Sequence, residues 1–230
     1  MPDLNFEVVS AEALPFATGP TLQFMLRIRN AVAAETVHSV MLRVQIRIEA
    51  TRRHYDAESA ARLLELFGEP ERWAGTMRSL LWTNTTAVVP PFTEEIVAEL
   101  PVVCTYDFDV VGAKYLYALE DGEVPLLFLF SGTVLYHQEG TGLQVAQISW
   151  EREAQFRLPI RVWQEMMERY FPNSAWIRLR KDVFDRLYRY KSRQALPTWE
   201  AALEQLLQGH EPEEKPEHGH RREDRGHSSL

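Results

Sequence analysis

The chain has 230 residues, with 25 Lys and Arg against 33 Asp and Glu, a formal net charge of −8 and 45% hydrophobic residues. This is an ordinary globular composition, and it excludes collagen-like, wholly disordered and membrane-helix chains. The single cysteine excludes an intramolecular disulfide framework and a thiolate zinc or iron–sulfur cage within one chain.

The first 50 residues predict strands. Phe6 and Val8 begin a short one, which ends in the loop from Pro15 to Pro20. Phe24, Leu26 and Ile28 then alternate with Met25, Arg27 and Arg29. After a connector, Val40, Leu42, Val44, Ile46 and Ile48 alternate with Met41, Arg43, Gln45, Arg47 and Glu49. A period of two sends one set to a core and the other towards water, as in a half-buried antiparallel sheet.

A helix follows, capped by Asp56, with Ala60, Leu63, Leu64 and Phe67 on one face and Gly68 and Pro70 at its end. Residues Trp73 to Leu81 read as ambiguous, with a second short helical turn as one option. Strands resume over Thr83 to Val89 and Glu95 to Val103. Tyr106, Phe108 and Val110 alternate before a helical turn through Ala113 to Leu119. The run from Val124 to Tyr136 suggests a strand covered on both faces. A helix there is opposed by Pro125 and the Ser131-Gly132 pair. Leu143 to Trp150 and Phe156 to Leu158 complete a set of seven to nine strands, which predicts a two-layer sandwich.

From Pro159 the period turns helical. Trp163, Met166, Met167 and Tyr170 share one face; Phe184, Leu187 and Tyr188 mark a second helix; Thr198 caps a third that buries Leu203, Leu206 and Leu207. Residues His210 to Leu230 carry no apolar side chain except Leu230, so disorder is expected there. The organisation expected is a mainly β, antiparallel β-sandwich at 1–158 with a helical insertion near 56–81. C-terminal helices packed on the sandwich follow at 159–208, with a His-bearing charged tail at 209–230. No apolar run approaches the roughly 20 residues of a membrane-spanning helix. Met1-Pro2-Asp3-Leu4 lacks the opening of a signal peptide, so a soluble, cytoplasmic protein is expected.

Three constellations carry possible chemistry. The tail holds His210, His218, His220 and His227 among carboxylates, and His218 and His220 could place two rings near one nickel, zinc or copper ion. A solubilising tail has the same composition and lacks the outer contacts that fix imidazole tautomers. The second is the basic stretch Arg178, Arg180, Lys181, Arg186, Arg189, Lys191 and Arg193 with Trp176, Tyr188 and Tyr190. It suits an acidic protein surface or phosphate backbones, or it is a solvated helix face. The overall charge of −8 speaks against nucleic acid. The third is Arg27, Arg29, Arg43 and Arg47. If their two strands pair, all four project from one face, matched either by carboxylates of the same chain, which its helices could supply, or by an external anion.

Catalytic signatures are poor: no Walker loop, dinucleotide-binding glycine fingerprint, nucleophile elbow or His-Glu-x-x-His helix occurs. Asp107 and Asp109 share a strand face as a candidate carboxylate pair, but outward sheet residues do the same without function. Glu165 and Glu168 flank a core methionine stripe. Cys104 reads as a buried inert thiol, and His38, His54 and His137 assemble no triad. No cofactor is expected.

Residues 42–55 (LRVQIRIEATRRHY), the LELFGEPERW stretch ending at Trp73, 104–134 and 166–180 (MMERYFPNSAWIRLR) resemble an uncharacterised bacterial family labelled as a domain of unknown function. The likeness covers nearly everything to about Leu207, so the tail lies outside it. Members of that family are often encoded near uptake nickel–iron hydrogenase structural and maturation genes, which implies an accessory role in hydrogenase assembly. The expected function is therefore a non-enzymatic adaptor that binds another protein, with a hydrogenase subunit or maturation factor as the implied partner. Contacts are expected from Trp176, Arg178, Arg180, Lys181, Arg186 and Arg189, then from Arg27, Arg29, Arg43 and Arg47. The alternatives are a small-molecule-binding or hydrolytic protein with a cleft between sandwich and helices, and metal delivery by the tail.

Overall fold

Alternation of buried and outward residues builds two antiparallel sheets that face each other. The smaller takes β1 (Leu4–Ala13), β2 (Thr21–Asn30) and β5 (Glu95–Val103), in the order β1-β2-β5. The larger runs β4 (Leu80–Val89), β3 (Thr36–Ile48), β6 (Glu123–Gln138) and β7 (Gly142–Gln147), with β8 (Glu153–Pro159) also on β6. The fold is thus a mainly β antiparallel sandwich with helices. The computed structural model describes residues 1–32, 35–104, 110–138, 140–174, 177 and 179–208. They fall into two compact units, Met1–Trp176 and Ile177–Leu230.

The core of the first unit lies between the sheets. Leu22, Phe24, Leu26 and Ile28 of β2 are buried, as are Val40, Leu42, Val44, Ile46 and Ile48 of β3. Each such side chain contributes about 1.5–3 kcal/mol by leaving water. The Phe24 ring sits at its centre, edge-on to Phe128 at 5.2 Å, Phe156 at 5.9 Å and Trp82 at 6.4 Å. The long strand β6 reaches β3 over Leu126–His137, while its two halves pair with β8 and β7 on the other side. It is covered on both faces only near its start, at Val124, Pro125 and Leu126; beyond, buried residues alternate with half-buried Leu127 and Leu129. At Gly132 it passes so near β3 that a Cβ would lie 2.1 Å from the Met41 carbonyl oxygen.

Among the described residues, five α-helices belong to this unit: α1 (Ala57–Arg62), α2 (Leu64–Phe67), α3 (Trp73–Thr76), α4 (Val110–Tyr117) and α5 (Ile160–Tyr170). The helix expected from Asp56 to Phe67 is split at Leu63, which bonds back to Ser59 and Ala60. The Asp56 carboxylate caps α1 by accepting from the Ser59 amide at 2.7 Å, and that bond holds its carboxyl below its ordinary range. α5 buries Ile160, Trp163, Met166 and Met167, and Tyr170 donates to the Ala17 carbonyl at 2.9 Å. Those spacings put all four on one helical face, which explains how a helix of low mean hydropathy docks on the core.

A phenol pair joins the insertion to α4. Tyr55 donates to the Ala50 carbonyl at 2.7 Å, and its oxygen lies 2.7 Å from the Tyr115 hydroxyl. Burial pushes both phenols up, so both keep their protons at neutral pH. Arg53 lies over the Tyr55 ring and ties down the next turn through the Asp121 and Glu123 carbonyls. Among the described residues no helix is long and apolar enough to cross a membrane.

Candidate functional site

The four sheet arginines do not form one stripe. β2 and β3 lie in separate sheets, so the pairing that would have aligned Arg27 and Arg29 with Arg43 and Arg47 is absent. Consecutive alternating strands each declare a buried face, but alternation does not say which strand is the neighbour. The matching carboxylates of β2 come from adjacent strands, not from helices: Arg27 meets Glu7 at 2.9 Å and Glu95 at 3.4 Å, and Arg29 also pairs with Glu95. Arg47 donates to Ser79 Oγ at 2.9 Å, which in turn donates to Glu49 at 2.6 Å. Arg43 makes no ion pair or side-chain hydrogen bond among the described residues. It borders a shallow concavity of about 580 Å³ over Gly132, with Met41, Thr86, Val88 and Thr133.

The Glu95 pair gives a pH prediction. The hydrogen bond from Arg29 holds the Glu95 carboxyl below its ordinary value. A carboxyl depressed in the folded state stabilises above its unfolded pKa of about 4.3, and that contribution is lost as pH falls through the folded value. Wild type should therefore unfold at higher temperature than Glu95→Gln at pH 7, and the gap should narrow below about pH 4. Thermal unfolding followed by circular dichroism across that range measures it.

The second unit holds α6 (Lys181–Arg193) and α7 (Trp199–Gln208) as a helical hairpin. Ala195 turns the chain with φ 51°, the Leu196 amide bonds to the Lys191 carbonyl, and Thr198 Oγ1 accepts from the Ala201 amide at 3.1 Å to start α7. On α6, Val183, Phe184, Leu187 and Tyr188 recur with helical period and form one face. Arg186, Arg189 and Arg193, at i, i+3 and i+7, form the opposite one. Trp199 packs on the apolar face, 5.3 Å from the Phe184 ring and 6.1 Å from Tyr188, with the Lys191 ammonium 5.6 Å from its centre.

The arginine face is the candidate contact site. Arg186, Arg189 and Arg193 surround a depression of about 320 Å³ with Tyr190 and Gln194. Arg189 donates from Nε to the Asp185 carbonyl at 3.1 Å, which fixes its side chain along the helix. Arg186 and Arg193 form no ion pair among the described residues. Arg180 and Lys181, by contrast, pair within the helix start, with Asp182 at 3.1 Å and Asp185 at 3.2 Å. The linear basic stretch is therefore divided. Its first part is internally matched, while three permanently charged, planar guanidiniums point outward on one face, suited to two-point bonds with carboxylates. The sequence expectation left Arg193 out of the contact set; the 186/189/193 spacing was the signal that placed it there.

Trp176, Arg178, the pair Asp107 and Asp109, and the tail with His218 and His220 lie outside the described residues. Cys104 is buried, and Glu168 accepts from the Asn173 amide at 3.0 Å beyond the end of α5. His38, His54 and His137 are exposed on separate elements. Among the described residues no group of three or more His, Cys, Asp or Glu is placed to hold a metal ion.

A family model described as a family of unknown function (DUF6084) matches residues 1–215. No curated protein matches the chain. Among solved structures, it is similar to the CARDB domain of the PF1109 protein from Pyrococcus furiosus, whose crystal structure is in complex with di-metal ions. That likeness has 15% identity over 69% of this chain and 92% of that one, with a TM-score of 0.27. A putative late embryogenesis abundant (LEA) protein is similar at 11% identity over 69% of this chain and 73% of that one, with a TM-score of 0.30.

Proposed function

We propose, for a chain that belongs to this family of unknown function, that it works as a non-enzymatic adaptor whose α6 arginine face binds an acidic protein surface. The observation that carries this reading is the outward row of Arg186, Arg189 and Arg193 around Tyr190, none of the three in an ion pair among the described residues. Arginine and tyrosine are the side chains that most often anchor protein interfaces, because each combines a large flat contact with directed hydrogen bonds.

The resemblance to a family encoded near uptake nickel–iron hydrogenase genes supplies a setting for the contact. The partner would be a hydrogenase subunit or maturation factor with a carboxylate-rich face. Gene proximity supports this by association, and the arginine row supports it by chemistry.

The test is capture from extract of the native host by tagged full-length protein, followed by mass spectrometry. Reversal of Arg186, Arg189 and Arg193 to Glu should weaken retention of an acidic partner about tenfold or more, since like charges facing each other cost several kcal/mol. Retention by wild type should also fall with added salt. Equal retention by wild type and the triple variant would overturn the reading.

A further inference from the structure

Among the described residues of the hairpin, the cations off the arginine face all have partners within it. Arg180 pairs with Asp182 and Lys181 with Asp185, while Lys191 donates to the Pro197 carbonyl at 3.1 Å and lies over the Trp199 ring. Arg186, Arg189 and Arg193 are exposed, with half-buried Tyr190 between them, and enter no ion pair among the described residues. The packing of α7 leaves this side open, because Trp199 lies against Phe184 and Tyr188 on the opposite one. Like charges gathered on one helical face raise the local potential, which favours an anionic cover.

The sequence supplies one in the same unit. Soon after α7, residues 211–217 carry Glu211, Glu213, Glu214 and Glu217 against Lys215 alone. The family match runs past the end of α7 at Gln208 to residue 215, so it takes in Glu211, Glu213 and Glu214 and stops short of His218 and His220. The acidic run thus travels with the helices rather than with the His-bearing tail. Reach is no obstacle: the chain from Gln208 to Glu217 spans up to about 30 Å when extended, and the 13 residues of α6 measure about 20 Å. An extended run also sets Glu211 and Glu214 about 10 Å apart, close to the separation of Arg186 and Arg193 along the helix, about 10 Å. Each exposed carboxylate–guanidinium pair is weak by itself, but a short tether holds the run at an effective concentration in the millimolar range.

We infer that the chain covers its own arginine face: residues 211–217 dock on Arg186, Arg189 and Arg193, and an acidic partner binds by displacing them. Planar guanidiniums give carboxylates two-point bonds, and the carboxylates of the run are the same chemical group that the proposed partner presents. The docking depends on charge and tether alone, while its regulatory meaning rests on the function proposed above. Occupation by the run divides the affinity of every partner by the fraction of molecules with a vacant face. A protein with a dense, rigid carboxylate surface then displaces the run, and a weakly acidic one does not, which trades affinity for specificity.

The experiment is arginine labelling of the full chain with phenylglyoxal, mapped residue by residue by mass spectrometry. It compares wild type with one variant that combines Glu211→Gln, Glu213→Gln, Glu214→Gln and Glu217→Gln. All four substitutions lie beyond α7, so the sandwich and the hairpin keep every residue. Arg186, Arg189 and Arg193 should react about threefold faster or more in the variant, since a weak ligand tethered at millimolar concentration hides its site by a factor of that order. Exposed Arg72 and Arg169 of the first unit should react equally in both proteins. In host extract the variant should also retain an acidic partner about threefold more strongly than wild type does. Equal labelling of the three arginines in the two proteins overturns the inference. So does faster labelling shared by Arg72 and Arg169, which would report net charge alone. Protection confined to the three arginines, with no partner retained by either protein, would uphold the docking and sink the proposed function; equal labelling with a partner retained would do the reverse.

Discussion

Gly132→Ala should lower the unfolding midpoint by on the order of 10 °C, more than any other single methyl addition. Residue 132 sits within β6, opposite Leu42 of β3, with φ +144°, a conformation that side chains rarely adopt. Its Cβ would stand 2.1 Å from the Met41 carbonyl oxygen, and that oxygen is backbone in the middle of a sheet. No rotamer change relieves such a clash; β3 or β6 has to move, which disturbs the longest pairing in the larger sheet. A cost of about 3–5 kcal/mol places the substitution among the severe ones, and in a chain of this size each kcal/mol is about 2–4 °C. The control is Gly19→Ala, where a Cβ meets nothing within 4 Å and φ is not positive. That change should be neutral or slightly stabilising, since it reduces only the freedom of the unfolded chain. Differential scanning calorimetry of the two variants beside wild type decides the matter, and equal midpoints would refute the account.

Gly132 also shows where the sequence stops being legible. In the run from Val124 to Tyr136, the Ser131-Gly132 pair reads as punctuation that opposes a helix, and that much is correct. A glycine required by close backbone approach, however, looks the same in a sequence as one required by a turn, because both follow from a missing side chain. The strands themselves were readable, since β2 from Phe24 and β3 from Val40 alternate without interruption and period two has few other causes. Their partners were not. The connector from Asn30 to Thr36 carries the chain from one sheet to the other, and nothing in its residues distinguishes that from a hairpin. The arginine stripe failed for this reason alone: Arg27 and Arg29 answer to Glu7 and Glu95, residues that only the register reveals. The split at Leu63 was hidden similarly, because Ala60, Leu63, Leu64 and Phe67 fit one continuous helical face. At the candidate site the composition was legible and its direction was not. A list of basic residues becomes a surface only when helical period sorts Arg186, Arg189 and Arg193 from Lys181 and Lys191.

Two phenylalanines separate the scaffold from the contact element. Phe24→Ala should destabilise the first unit by about 3–5 kcal/mol, the cost of deleting a large ring and leaving part of its cavity open. Its ring is fully buried and meets Trp82, Phe128 and Phe156 edge-on, so three aromatic contacts go with it. Phe184→Ala removes the same atoms from a 43% exposed site on α6. If the sandwich carries its own core, the main unfolding transition should then move by less than about 0.5 kcal/mol, the ordinary range for surface changes. The loss should fall within the hairpin instead, where the Phe184 ring lies 5.3 Å from Trp199. Denaturant titration monitored by the buried Trp82 and Trp163 reads the first effect, and helix content by circular dichroism reads the second. Phe184→Ala unfolding the sandwich as readily as Phe24→Ala would mean that the hairpin is part of the fold's stability. In that case its aromatic face would be serving the chain's own core, and the arginine face opposite would be the surface of α6 left for contact.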